Sequence, residues 1–353
     1  MNDIPISKIY VINLKKDTER LAKVSANLAG HGLKFERVDA CLGKSLGLQP
    51  REEWAGWLGA RILPKPLLGC GISHISTWER VVKLGLPNAL ILEDDARLVK
   101  GFKRKVIKLM KKIPPTYDII FFGRNGVRED GGDFYSSVAS FLRPGKYNNV
   151  KQWADGIVIP GFVCGFHGYL ISHKGAVKLL QLNRRVETHI DMQVSGQLKE
   201  HLVAFASKKP LIFGDTESNN TTLGSRFPHS LNWLVSGKKI EDTSWNWLLG
   251  EPLYNIGGAD IRGWNLAFFI ASSSLGCLFG KEVGIGWLIV LGLFLIMDLE
   301  LNGSDGEVMT MRGDYLSACL GLILGTQIRS SLRSMMKWNH GSQGLMPKRA
   351  PKE

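Results

Sequence analysis

The chain has 353 residues and a hydrophobic content of 44%, enough for an α/β domain of about 250 residues and a smaller second region. Its net charge of +13 favours an anionic membrane or a phosphate-bearing substrate, while basic residues interspersed with acids and no aromatic-plus-basic pattern exclude nucleic acid. Five scattered cysteines without a CxxC pair favour a reduced, cytosolic setting over a disulfide framework or a zinc site.

The first elements alternate as strand, helix and strand. Residues 1–10 have no signal pattern, so the N-terminal domain is expected to stay in the cytosol. Residues 8–14 are rich in β-branched and aromatic side chains, and Asp17 or Thr18 is placed to cap the following helix. Residues 35–40 then alternate like a second strand. This order is typical of nucleotide-binding folds.

Three polar side chains before the next strand are candidates for substrate contacts. Arg20, inside the first helix, could reach a nucleotide phosphate or form a surface salt bridge. Residues 49–66 are interpreted as an irregular or short helical insert, and residues 69–74 as the lead into a helix. Ser73 is then predicted as the N-cap of that helix, in preference to a catalytic serine. His74 at a helix start could cap, pack or approach the acids described next.

The most informative stretch is a buried strand that ends in three acids. Residues 89–92 are continuously apolar, which is typical of a central parallel strand covered on both faces. Glu93, Asp94 and Asp95 follow, and three adjacent carboxylates are costly to bury without a positive partner. Mg²⁺ or Mn²⁺ would remove that cost and could bind nucleotide phosphates at the strand's carboxyl end. A solvated acidic turn is the alternative.

The next segments continue the α/β pattern. Residues 100–112 predict an amphipathic helix, packed on the sheet or touching an anionic membrane. Residues 117–122 and 162–171 predict strands, and residues 127–153 a loop region that could carry acceptor specificity.

Two further polar residues belong to helix starts in the second half of this region. Ser172 is predicted to cap a helix over residues 173–182. Asp191 lies in a turn before another helix, where it is either an N-cap or a general base that would deprotonate a sugar hydroxyl.

Over roughly residues 5–225 the sequence resembles glycosyltransferase family 25, the lipooligosaccharide galactosyltransferase family that also includes collagen galactosyltransferases. The matching pieces occur in the family's order: residues 11–14 with Arg20, residues 35–40 followed by Gly43, residues 69–74 with Trp78, residues 89–95, residues 168–172 with 174–176, and Asp191. The resemblance implies an α/β fold with a GT-A-like, Rossmann-type nucleotide-sugar transferase domain, and UDP-galactose as donor.

The resemblance also implies roles for individual residues. Glu93, Asp94 and Asp95 take the place of the DxD metal-diphosphate motif, with Asp95 as the main ligand of Mn²⁺ or Mg²⁺ and Glu93 beside it. Glu93 and Asp94 would orient the ribose or a metal-bound water, and Asp191 would be the base. The expected donor-binding residues, including these acids, are Asn13, Arg20, Ser73, His74, Glu93, Asp94 and Asp95.

The expected reaction is inverting transfer of a hexose to a hydroxyl of a glycan or lipid-linked acceptor, in surface-glycan biosynthesis. Two alternatives use the same fold. One is a catalytically silent, membrane-associated scaffold, and the other is a metal-dependent phosphohydrolase that uses the same acids.

The C-terminal third changes in composition and lies outside the resemblance. Residues 1–255 are predicted as the catalytic domain, 256–330 as a hydrophobic helical region and 331–353 as a basic tail. Each apolar run is shorter than the ~20 residues of a spanning helix, so buried core helices or interfacial segments are alternatives. The first two runs together nevertheless favour a membrane-inserted hairpin. Membrane contact is expected through residues 264–328, with the catalytic domain on the cytosolic face. The small residues Ser272, Ser273, Ser274 and Gly276 would allow close helix packing.

Overall fold

The structure is a computed structural model that describes residues 4–125, 150–161, 163–214, 252–256, 259–302 and 305–343. These residues belong to two compact units, the first containing those up to 214 and the second those from 252 onward. The boundary predicted after residue 255, between the catalytic domain and the hydrophobic region, lies beside residues 257–258, which are outside the described ranges.

The first unit alternates helices and strands along the chain. Its elements are β1 (Ile9–Asn13), α1 (Thr18–Gly30), β2 (Glu36–Asp39), α2 (Leu48–Ile62), α3 (Lys65–Lys83), β3 (Asn88–Glu93), β4 (Ala96–Leu98), α4 (Phe102–Met110), β5 (Ile119–Asn125), β6 (Lys151–Ala154), β7 (Ile157–Ile159), β8 (Cys164–Ser172), α5 (His173–Leu182), α6 (Ile190–Ser195), β9 (Ala204–Ser207) and β10 (Ile212–Gly214).

One mixed sheet organises this unit, with the strand order β2-β1-β3-β8-β5-β9-β7-β6. Strands β2, β1, β3, β5 and β9 run in one direction, and β8 runs antiparallel between β3 and β5. β10 pairs with both β4 and β5. The carboxyl ends of β1 and β3 therefore meet at one edge, which also receives the beginning of β8.

The predicted burial of β3 on both faces is confirmed. Ala89 and Ile91 pack into a core on one side of the sheet, and Leu90 and Leu92 pack into a core on the other. A strand covered on both faces needs apolar side chains at odd and even positions alike, so its sequence is a continuous apolar run. The predicted α/β class follows from this layering.

Two of the predicted helix caps, Ser172 and Ser73, have opposite outcomes. Ser172 is confirmed as a cap, because its Oγ accepts the Gly175 N–H at 3.0 Å. The prediction for Ser73 was wrong, since α3 begins at Lys65, with proline in its first turn, and Ser73 lies well inside it. The insert at 49–66 is mostly α2, which is interrupted at Gly56, where φ is 71°.

The predicted loop at 127–153 is only partly covered. Residues 127–149 lie outside the described residues. Residues 151–154 form β6, which pairs with β7, so the end of that stretch is a strand and not a loop.

The second unit is a hairpin followed by helices: β11 (Pro252–Ile256), β12 (Ala259–Arg262), α7 (Gly263–Phe279), α8 (Lys281–Asn302) and α9 (Asp305–Gln343). The backbones of α7 and α9 touch, because a Cβ placed on Gly321 would lie 2.3 Å from the Phe269 carbonyl oxygen and one on Gly325 2.0 Å from that of Ser273. The α9 helix continues through the start of the predicted basic tail.

The expected membrane-inserted hairpin is not supported by these helices. Among the helices in the part of the chain that the structure describes, none combines the length and the hydropathy needed to cross a membrane.

Candidate active site

Asn13, Arg20 and Asp94 come together at the carboxyl ends of β1 and β3. The Asn13 side-chain amide donates to Asp94 Oδ2 at 2.8 Å, and Arg20 Nη1 donates to Asp94 Oδ1 at 3.0 Å. Arg37, from β2, donates to Asn13 Oδ1 at 2.9 Å and thereby fixes the orientation of the amide. Arg20 is thus part of the site, but its observed partner is a carboxylate.

These contacts determine the state of Asp94. Burial raises the pKa of Asp94 to about 6, although the Asn13 amide and the Arg20 guanidinium act in the opposite direction. Because each carboxylate oxygen already has a donor, Asp94 is held in one orientation. Glu93 and Asp95 are therefore the acids with more freedom to bind a cation.

Glu93 and Asp95 face a third residue, His167, near the start of β8. His167 Nδ1 lies 3.7 Å from Asp95 Oδ1 and 3.8 Å from Glu93 Oε2. One ligand atom from each of the three residues lies within 4.8 Å of the others. The imidazole also covers Gly214 of β10, where a Cβ would come within 2.6 Å of the ring.

The charges in this group shift one another's pKa values. Burial alone would lower the pKa of His167, but the carboxylates of Asp95, Glu93 and Asp191 raise it to about 9. Burial alone would raise the pKa of Asp95, but the facing imidazolium lowers it. Even so, Asp95 Oδ1 and both ring nitrogens of His167 are buried without a hydrogen-bond partner among the described residues.

Ligand atoms that lie this close together, some of them buried without a hydrogen-bond partner, fit a divalent cation. Two carboxylates and an imidazole are ligands that Mn²⁺ accepts, and a bound metal would displace the His167 proton. Glu93, Asp95 and His167 could therefore hold the metal that the sequence led us to expect. His167 was not among the predicted ligands.

His74 lies behind Glu93. It is buried, with Nε2 at 3.3 Å from Glu93 Oε1 and Nδ1 at 2.9 Å from the Tyr169 hydroxyl. A second group of potential ligand atoms combines His74 and Glu93 with Cys70. One of the alternatives predicted for His74 was an approach to the acids, and the structure places it beside Glu93.

Ser73 is not brought to the acids. Its hydroxyl donates to the Gly69 carbonyl oxygen at 2.6 Å and accepts the Cys41 N–H at 2.8 Å. The bond from Cys41 holds the segment that follows β2 against α3, and no hydrogen bond joins Ser73 to the acids among the described residues. This arrangement favours a structural role over donor binding.

Asp191, the predicted base, is engaged by the backbone. Its Oδ2 accepts the Gly165 N–H at 2.6 Å, and its Oδ1 accepts the Met192 N–H at 2.7 Å. Gly165 has a φ of 73°, a conformation that favours glycine, and lies two residues before His167. Asp191 therefore supports the start of β8, near the site.

Sequence reasoning missed His167 and Arg37 as members of the site. The missing signal for His167 is the pairing of two distant segments, because β8 runs antiparallel to β3 and places Gly168 opposite Leu92. The next residues toward the sheet edge are Glu93 and His167. Arg37 lies in the predicted second strand, but nothing in its local pattern indicates a contact with Asn13.

Comparisons with known proteins find similar sequences over the part of the chain that contains this site. Residues 6–194 match the model of the family described as glycosyltransferase family 25 (LPS biosynthesis protein). A glycosyltransferase 25 family member of Anopheles gambiae is 30% identical over 195 residues, which cover 50% of this chain and 29% of the relative. Procollagen galactosyltransferase 2 of Mus musculus is 31% identical over 128 residues, covering 33% of this chain and 20% of the relative.

Other relatives have different names. Inactive glycosyltransferase 25 family member 3 of Mus musculus is 27% identical over 191 residues, covering 51% of this chain and 30% of the relative. The chain thus spans less than a third of the length of these relatives. The solved structure of mouse xyloside xylosyltransferase 1 aligns over 55% of this chain and 81% of that chain, with a TM-score of 0.28 and 10% identity.

Proposed function

Because this chain belongs to glycosyltransferase family 25, we propose that it transfers a hexose from a UDP-sugar to a hydroxyl of a glycan or glycolipid acceptor, with inversion at the anomeric carbon. Galactose is the proposed sugar, since a relative is a procollagen galactosyltransferase. The observation that carries the proposal is the group of Glu93, Asp95 and His167 beside Asp94, within the matched region.

We assign metal binding to Asp95, Glu93 and His167. Mn²⁺ bound there would supply neutralisation of the charge that develops on the departing diphosphate. The support for this assignment is the set of buried atoms without hydrogen-bond partners on Asp95 and His167. Mg²⁺ is a weaker candidate, because an imidazole is a less suitable ligand for it.

The other residues of the site would bind and orient the donor. Arg20 and Asn13 hold Asp94, and the carboxyl of Asp94, whose pKa is about 6, can hydrogen bond to a ribose hydroxyl. Proton removal from the acceptor needs a carboxylate near the anomeric carbon. Asp191 remains the predicted base, although its two backbone contacts also suit a purely structural role.

The acceptor is proposed to lie at the cytosolic face of a membrane, in surface-glycan biosynthesis. Large apolar side chains on α7, α8 and α9 are exposed, including Leu278, Ile289, Leu293 and Leu316. Exposed apolar surface of this kind is typical of an interaction site. A membrane at this surface would raise the local concentration of a lipid-linked acceptor.

The test is release of UDP from UDP-galactose with and without Mn²⁺. We expect release that requires Mn²⁺ and increases with a glycan acceptor. Asp95→Asn should lower turnover by at least about 100-fold, because even outer-shell changes cost up to that factor in metal sites. The control is Asp155→Asn, which changes an exposed acid paired with Lys112.

A catalytically silent protein is the second candidate, since some relatives are named inactive. It predicts that UDP raises the melting temperature in the presence of Mn²⁺ while no UDP is released from UDP-galactose. A phosphohydrolase would instead release UDP at a rate that acceptors do not change.

A further inference from the structure

Behind the proposed metal ligands lies a chain of buried polar groups that begins at Trp78. The Trp78 side chain is fully buried, and its indole N–H donates to the Tyr169 hydroxyl oxygen at 2.8 Å. An indole N–H can only donate. The direction of this first hydrogen bond is therefore fixed, and the Tyr169 oxygen acts in it as the acceptor.

The second hydrogen bond follows from the first. A tyrosine hydroxyl has an ordinary pKa of about 10, so the Tyr169 hydroxyl keeps its proton at neutral pH. That proton needs an acceptor, and His74 Nδ1 lies 2.9 Å from the hydroxyl oxygen. Tyr169 therefore donates to His74 Nδ1. This leaves Nδ1 without a proton, so the ring proton of His74 lies on Nε2.

The third hydrogen bond reaches a proposed metal ligand. His74 Nε2–H lies 3.3 Å from Glu93 Oε1 and donates to it. The other oxygen of that carboxylate, Oε2, faces His167 at 3.8 Å. The hydrogen bond from His74 fixes Oε1, so Oε2 is directed toward Asp95 and His167.

We propose that Trp78, Tyr169 and His74 are positioning residues for the metal site. Trp78 and Tyr169 fix His74 as the Nε2–H tautomer, and His74 thereby orients the Glu93 carboxylate for metal binding. The inference rests on the proposed function, because the metal site is part of it. Outer-shell hydrogen bonds of this type set the tautomer and orientation of groups around a metal, and their loss typically lowers metal affinity by about 10-fold to 100-fold.

The first experiment reads the tautomer directly. In protein labelled with ¹⁵N at histidine, the ring signals of His74 are identified by their loss in His74→Gln. We expect a pyridine-type signal for Nδ1 and a pyrrole-type signal for Nε2, in metal-free protein. In Tyr169→Phe the Nδ1–H and Nε2–H tautomers of His74 should both be populated, because Nδ1 has lost its hydrogen-bond donor. A proton on Nδ1 in the native chain would overturn the proposal.

The second experiment measures the affinity for Mn²⁺ alone, from the electron paramagnetic resonance signal of the free ion. Tyr169→Phe should raise the Mn²⁺ dissociation constant by about tenfold or more. The matched control is Tyr10→Phe, which removes another fully buried tyrosine hydroxyl from the same core, one without a hydrogen-bond partner. Its dissociation constant should equal that of the native chain within about twofold.

Asp95→Asn separates this inference from the proposed function. If Asp95→Asn abolishes Mn²⁺ binding and Tyr169→Phe binds like Tyr10→Phe, the positioning role is refuted and the metal site stands. If the native chain and Asp95→Asn bind Mn²⁺ equally, the metal site fails and the positioning role fails with it. Should Tyr169→Phe not fold, the ¹⁵N signals of the native chain decide.

Discussion

Asp94 and Asp95 are adjacent in the chain, yet their surroundings move their pKa values in opposite directions. Asp94 is buried beside the polar groups of Asn13 and Arg20, and burial dominates, so its pKa rises to about 6. Asp95 faces a protonated His167, and its pKa falls. The consequence is a division of labour, in which Asp94 suits hydrogen bonding to a sugar and Asp95 suits a cation.

The role of Asp191 can be resolved by comparing stability with turnover. Asp191→Asn keeps the shape but replaces one carboxylate oxygen by an amide that cannot accept the Gly165 or Met192 N–H. A structural role predicts a fall in the free energy of unfolding of about 1–3 kcal/mol, measured by urea denaturation, since a buried N–H is left unpaired. A general-base role predicts a large loss of kcat with unchanged stability.

The control for this comparison is again Asp155→Asn at an exposed position, which should alter the free energy of unfolding by less than about 0.5 kcal/mol. If Asp191→Asn leaves both unfolding and turnover near those of the native chain, neither role holds.

At the level of elements, glycines decide how closely helices of the first unit approach the rest of the structure. A Cβ on Gly69 would lie 2.5 Å from the Cys41 carbonyl oxygen, and one on Gly71 would lie 2.8 Å from a Val186 methyl group. Both residues lie inside α3, where an isolated glycine normally weakens a helix. They are explained by close packing, which holds α3 where His74 contacts Glu93.

The α5 helix offers a quantitative test of this packing. In Gly175→Ala the new Cβ would lie 2.0 Å from the Asp118 carbonyl oxygen, so the helix or β5 must shift. We expect the free energy of unfolding, measured by urea denaturation, to fall by about 1–3 kcal/mol.

The matched variant is Gly30→Ala at the end of α1, where no atom lies within 4 Å of the new Cβ. It should be neutral or stabilising by up to about 1 kcal/mol. Equal effects of the two substitutions would mean that helix propensity, and not close packing, explains Gly175.

These glycines also explain which elements could be predicted from the sequence. The burial of β3 and the Ser172 cap depend on residues adjacent in the chain, and both predictions were correct. Gly69 and Gly71 resemble helix breakers locally, which moved the predicted start of α3 past Lys65. Glycine occurs at these two positions because the helix packs closely against Cys41 and Val186, which are distant in sequence.

The candidate site shows the same limit. Its acids were predictable because they follow directly on an apolar strand, Arg20 was a candidate from its place in the first helix, and the family resemblance added Asn13. His167 could not be predicted in this way, because it meets Glu93 only through the antiparallel pairing of β8 with β3. No periodic pattern within either strand records that pairing.

At the scale of the whole molecule, the two units use apolar residues differently. The first unit buries them on both faces of its sheet. In the second unit, glycines bring the backbones of α7 and α9 into contact, so little space for large side chains remains between these two helices. Many large apolar side chains of α7, α8 and α9 are accordingly exposed, and the chain carries a net charge of +13.

This combination predicts binding to anionic lipid vesicles, measured by co-sedimentation of the full chain. Raising the salt concentration should weaken binding without abolishing it, because screening removes the attraction between charges but not the burial of apolar surface.

Ile289→Glu should lower the vesicle partition coefficient by about tenfold, since Ile289 is 59% exposed on α8 and burying such a side chain contributes about 1.5–3 kcal/mol. Leu84→Glu makes the same charge change at a 55% exposed position in the first unit and should leave binding nearly unchanged. A full chain that stays in the supernatant, or equal losses in both variants, would show that the exposed apolar residues of the second unit do not bind lipid.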